Sequence, residues 1–174
     1  MKKVLALATL SIACAISTTS VFASDGTVNF TGEIIDSACT IDIGANNTMT
    51  VDMGKVAKKA FTGKDSTASA TKFVLKMTDC PTTVTSASVK FDGTGYAGDD
   101  SVLALTADTG VATGVAVELT DSAQKVLPLF TASTSVTLAE GDNEMPFYAR
   151  YKQMAADVTP GPANATAQFT VNYN

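Results

Sequence analysis

The chain has 174 residues, 12 of them basic and 17 acidic, with no histidine and no tryptophan. The acidic balance repels phosphate backbones and sets nucleic acid aside as a partner. The missing histidine removes the commonest general base and rules out a mixed Cys/His zinc site.

Met1-Lys2-Lys3 is a short basic start, Val4 to Ile16 is largely apolar, and Val21-Phe22-Ala23 ends the stretch as a signal peptidase requires. This is the three-part pattern of a cleaved signal peptide over residues 1–23, with Ser24 as the new N-terminus. The apolar run, roughly 13 residues, is short of the about 20 that a membrane span needs. Residues 24–174 then make one exported domain of about 150 residues, long enough for a real core.

Two cysteines follow the expected cleavage point, Cys39 and Cys80. An even pair in an exported protein reads as a disulfide. Two thiolates are too few for a metal site, and no CxxC redox motif is present. Closing so long a loop is worth roughly 4 kcal/mol in the chain-entropy model. No metal and no cofactor is expected.

From there the pattern is nearly all strand. Thr27 to Ile35 alternates, with Val28, Phe30 and Ile34 on one side. Ala38 to Ile43 carries Cys39, and Thr48 to Val56 follows the Asn46-Asn47 turn. One short helix is expected near Lys55 to Phe61. Lys72 to Cys80 alternates Phe73, Leu75 and Met77 with polar partners. Further strands are expected over Ala87 to Phe91, Val102 to Thr106, Gly114 to Leu119, Ser135 to Leu138, Glu144 to Lys152 and Ala165 to Tyr173. Pro128, Gly141-Asp142 and Thr159-Pro160-Gly161-Pro162 separate them. Many short strands with one bridging disulfide predict a β-sandwich of immunoglobulin type.

Both ends of the mature chain carry the cleanest alternation. Ala165, Ala167, Phe169, Val171 and Tyr173 point one way, with polar residues between them. The last strand has no following hairpin partner, so beside a gap in the sheet its edge would be a long exposed template. The N-terminal arm has the complementary form, with Gly26, Val28, Phe30, Gly32 and Ile34 on one face. Its residues would serve equally as the first strand of its own sandwich or as a strand lent to another subunit.

Other motifs carry less. Gly93-Thr94-Gly95-Tyr96-Ala97-Gly98 fits a dinucleotide fingerprint, but no helix opens after it, so it reads as a hairpin loop. Ser69-Ala70-Thr71-Lys72 fits S-x-x-K without companion motifs. Arg150, the single arginine, reads as a solvated strand residue. No paired carboxylates are visible, so no enzyme activity is expected.

Four blocks in order give a resemblance. They are Gly26-Thr27-Val28-Asn29-Phe30-Thr31-Gly32-Glu33-Ile34-Ile35 with Cys39 behind it, Met77-Thr78-Asp79-Cys80, Met145-Pro146-Phe147-Tyr148-Ala149-Arg150-Tyr151, and Thr159-Pro160-Gly161 leading to Phe169-Thr170-Val171-Asn172-Tyr173-Asn174. On these the chain resembles the chaperone–usher pilins, closest to the type 1 fimbrial major subunit. The resemblance implies an all-β, incomplete immunoglobulin-like sandwich that lacks its last strand and is completed by a donor strand. It implies an arm over residues 24–37 and a pilin domain over 38–174. The donor residues would be Gly26, Val28, Phe30, Gly32 and Ile34. The acceptor groove, which also takes a chaperone strand, would be edged by Gly161, Ala165, Ala167, Phe169, Val171 and Tyr173. The implied partners are identical or related pilin subunits, a periplasmic pilus chaperone and an outer-membrane usher, and the implied destination is the cell-surface fimbria, where the subunit supports adhesion. The competing reading is a minor fimbrial subunit or a single-domain secreted adhesin with a ligand on its loops.

Overall fold

The computed structural model describes residues 25–34 and 38–174. The signal peptide expected over 1–23, the expected N-terminus Ser24, and residues 35–37 at the end of the arm lie outside the described residues. The chain divides after Ile34.

Among the described residues nine strands form in chain order: β1 Thr40–Asp42, β2 Thr71–Cys80, β3 Ser86–Asp92, β4 Gly95–Tyr96, β5 Asp99–Leu103, β6 Val115–Thr120, β7 Val136–Thr137, β8 Gly141–Gln153 and β9 Gln168–Tyr173. One sheet runs β1-β2-β8-β6-β5-β4 and the other runs β7-β3-β9. All their pairings are antiparallel. The expected all-β sandwich is therefore present, and the G-x-G-x-x-G stretch is the β4–β5 hairpin.

The core follows the period of two. On β8, Met145, Phe147, Ala149, Tyr151 and Gln153 are buried, while Pro146, Tyr148, Arg150 and Lys152 between them are half-buried. On β2, Leu75 and Met77 face the same interior. Phe91 and Phe147 meet edge to face at 5.3 Å, and Phe73 stacks on Phe147 at 5.8 Å. Such aromatic pairs add about 0.5–1.5 kcal/mol beyond area burial.

Two expected strands do not form. Residues 25–34 contain no strand, and Val28, Phe30 and Ile34 are 75%, 92% and 97% exposed. Residues 48–57 also enter no ladder, although their alternation is real: Met49, Val51 and Met53 are half-buried and Thr48, Thr50 and Asp52 exposed. A strand is defined by its ladder, and neither segment enters one here. The helix expected near Lys55 to Phe61 is a single 3₁₀ turn, Lys58–Ala60.

Arg150 is not the solvated residue expected. Its Nε donates to Glu118 Oε1 at 2.7 Å, across the β6–β8 register pair Glu118↔Arg150. Lys152 Nζ donates to Glu118 Oε2 at 3.1 Å and lies 3.5 Å from Asp65. Glu118 itself is 2% exposed. Burial alone would lower the Lys152 pKa, but the hydrogen bond to Glu118 and its charge, with Asp65 behind, outweigh it and hold the ammonium up. A raised folded-state pKa means this contribution is complete at neutral pH. It is lost as pH rises past the ordinary lysine value, about 10.4, and through the raised one. Urea midpoints measured across the alkaline range should therefore fall, and Lys152→Met should flatten that fall.

Candidate functional site: an open sheet edge

β9 pairs along its whole length with β3, from Phe91↔Phe169 through Val89↔Val171 to Ala87↔Tyr173. Ser86 and Asn174 exchange N–H···O bonds in both directions, at 3.0 and 2.8 Å. Antiparallel ladders alternate bonded and non-bonded pairs. So Gln168, Thr170 and Asn172 turn their main-chain groups toward β3. Phe169, Val171 and Tyr173 turn theirs to the other side, where the sheet ends. The residues whose side chains face the core are thus the ones whose N–H and C=O groups line the open edge.

Those side chains are incompletely covered. Ala163, Ala165, Ala167, Phe169, Val171 and Tyr173 pack on the core yet remain half-buried. Their neighbours on β3 are sealed, with Ala87 and Val89 at 0% exposure and Phe91 at 5%. Phe169 reaches the core aromatics through Phe91, at 6.2 Å. A fully roofed sandwich would not show this step in burial between adjacent strands.

A second extended segment borders the same side. Met49 and Met53 pack on the same core from 48–54. Tyr173 Oη donates to the Cys39 carbonyl at 3.4 Å, which ties the end of β9 to the chain just before β1, upstream of that segment. At the other end Tyr151 Oη donates to the Ala163 carbonyl at 2.7 Å. Burial, with the charge of Asp52 adding to it, pushes the Tyr151 phenol up, so Asp52 sits close to that end. The two rims run alongside without joining. Sequence reasoning expected a strand over Thr48 to Val56 and gave it no part in the groove, although the Met49/Val51/Met53 alternation was its signal.

Gly161 plays a different part from the other expected edge residues. It precedes the rim, and a Cβ there would stand 2.1 Å from the Gly110 carbonyl oxygen and 2.6 Å from the Ala112 nitrogen. Ala112 N–H donates to the Pro162 carbonyl at 2.9 Å, and Thr106 N–H to the Asn164 carbonyl at 2.7 Å. Gly161 therefore lets the 110–112 loop anchor the start of the rim. Gly161→Ala forces that backbone apart, a change of the overpacking kind that costs about 1–3 kcal/mol. The expected result is a lower thermal midpoint and less exported protein by immunoblot.

The Cys39–Cys80 disulfide is formed. It fixes the residue just before β1 to the end of β2, and so fixes the carbonyl that Tyr173 Oη reaches. Cys39→Ser should remove roughly 4 kcal/mol of stability in the loop-closure model and cut the yield of exported protein. Among the described residues no group of three His, Cys, Asp or Glu is placed to hold a metal ion.

An incomplete sandwich edged by an uncovered strand is the architecture of a strand-accepting subunit. The fimbrial protein family model matches residues 28–174. The type-1 fimbrial protein A chain of Escherichia coli K12 is 40% identical, covering 98% of this chain and 98% of that one. Among solved structures, a Burkholderia pseudomallei antigen and type I fimbria protein is 40% identical, with a TM-score of 0.61, covering 85% of this chain and 97% of that one. The structure of a chaperone–usher pilus matches in fold, with a TM-score of 0.66 at 20% identity over 90% of this chain and 99% of that one. This chain belongs to the fimbrial protein family, a structural family of pilus subunits and not one of enzymes.

Proposed function

We propose that the open edge of β9 is filled by the N-terminal arm of the next subunit, so that copies join head to tail into a surface fimbria. The observation that carries this is the step in burial between β3, sealed, and β9, half-open, together with the exposure of Val28, Phe30 and Ile34 on the arm. The chain is a structural fimbrial subunit, and this is how its geometry would make it polymerise.

Strand addition supplies main-chain hydrogen bonds for affinity and alternate side-chain slots for specificity, and it is the recognised mode for chaperone–pilin pairs. Gly26, Val28, Phe30, Gly32 and Ile34 are the donor residues. Burying Val28, Phe30 and Ile34 contributes roughly 5–9 kcal/mol as an upper figure. Gly32 allows close backbone approach to the acceptor. The acceptor residues are Ala165, Ala167, Phe169, Val171 and Tyr173, with Gly161 shaping the rim behind them. A head-to-tail contact between unlike surfaces does not close on itself and gives an open filament.

Until assembly the edge needs protection, since an exposed apolar edge aggregates. A periplasmic chaperone lending its own strand, followed by exchange at an outer-membrane usher, meets that need. Support comes from the fold shared with a chaperone–usher pilus. Unheated gel electrophoresis of fibres sheared from cells tests the reading. A ladder of detergent-resistant multimers is expected, reduced to a single band when Ser24 to Phe30 are deleted. A wild-type sample running only as monomer would overturn it.

A further inference from the structure

Charge is unevenly distributed along the chain. Residues 24–54 hold five carboxylates, Asp25, Glu33, Asp36, Asp42 and Asp52, and no basic residue. Residues 55–64 then hold four lysines, Lys55, Lys58, Lys59 and Lys64, and no acidic residue. All four lysines are exposed, and none takes part in an ion pair among the described residues.

These lysines follow directly after the second rim. Met53 and Phe61 both pack on the core, and every residue from Lys55 to Ala60 between them is exposed. The stretch thus bulges outward directly after the 48–54 segment. Its far end is held still: Gly63 N–H donates to Gln153 Oε1 at 2.9 Å, and Asp65 N–H donates to the Gln153 carbonyl at 2.8 Å. Lys64 stands between these two anchors. Asp65 is taken by Lys152, and Lys64 lies near enough to Asp99 to help the hydrogen bonds from Ser101 hold that carboxyl down.

We propose that Lys55, Lys58, Lys59 and Lys64 form a cationic landing site that captures the acidic arm of an incoming copy before it settles along β9. The arm's own charges are Asp25, Glu33 and Asp36, with no base among residues 24–37, and Asp25 and Glu33 are exposed. The alternating apolar face can enter the groove while Glu33, on the opposite face, stays outside where the lysines can reach it. Charges arranged this way raise encounter rates and bring salt dependence, with less effect on final stability. The inference rests on the arm-to-edge reading above.

The test uses the full-length subunit in its chaperone complex and a synthetic peptide of residues 24–37. The measured quantity is the rate at which the peptide enters the subunit, followed at about 20 mM and about 0.5 M salt, where screening is weak and nearly complete respectively. For the wild type the rate should fall about tenfold across that range. The variant with all four lysines changed to Gln should show the slow rate at both salts, and the variant with all four changed to Arg should regain the fast one. A peptide with Asp25→Asn, Glu33→Gln and Asp36→Asn should be slow on the wild type and no slower on the Gln variant. Equal rates and equal salt slopes for wild type and Gln variant would reject the landing site while leaving strand insertion standing. A Gln variant that slows the neutral peptide further would also reject it, because the lysines would then act on something other than the arm. Failure of every peptide to enter any of these proteins would reject the arm-to-edge reading, and the landing site with it.

Discussion

Phe30→Asp should give a subunit that is exported at near wild-type levels and adds to no fibre. Phe30 is 92% exposed before assembly, so the change costs the monomer little, within the about 0.5 kcal/mol typical of surface substitutions. In the groove the same position must be dry. There the change forfeits about 1.5–3 kcal/mol of aromatic burial and adds the cost of desolvating a carboxylate. Electron microscopy of cells and immunoblots of the periplasm read both halves. Thr31→Asp, one residue on and facing the other way, should leave fibres intact. Equal loss in the two variants would show that face does not matter and would contradict the strand-addition account.

Arg150→Met should be strongly destabilising, by about 3–5 kcal/mol. It leaves Glu118, with its side chain 3% exposed, facing Lys152 alone. The double change Arg150→Met with Glu118→Met should recover most of that loss, because an apolar pair needs no compensation. Urea midpoints of the single and double variants decide this. A single variant as stable as the wild type would mean that water already reaches the Glu118 carboxylate.

Much of this architecture is legible without coordinates, for a physical reason. β8 and β9 alternate cleanly because each buries one face, and burial is what writes the period into a sequence. The same logic explains the misses. Met49, Val51 and Met53 alternate because they cover the core, yet 48–57 pairs with nothing, and alternation reports burial without reporting hydrogen bonds. The arm shows the same division, with a strand's pattern and no strand. Glu118 lies inside the apolar run Val115 to Leu119, and only the β6–β8 register brings Arg150 and Lys152 to it. Register is not written in either strand alone. Gly161 carries a family signature, but its reason, the approach of the 110–112 backbone, appears only in three dimensions.

A density map of native fibres at side-chain resolution tests the central claim most directly, by showing whose chain lies beside Phe169, Val171 and Tyr173. Residues from the Gly26 to Ile34 arm of an adjacent subunit should occupy that place, with Val28, Phe30 and Ile34 turned inward. A strand supplied there by the subunit's own chain, throughout the fibre, would contradict the account.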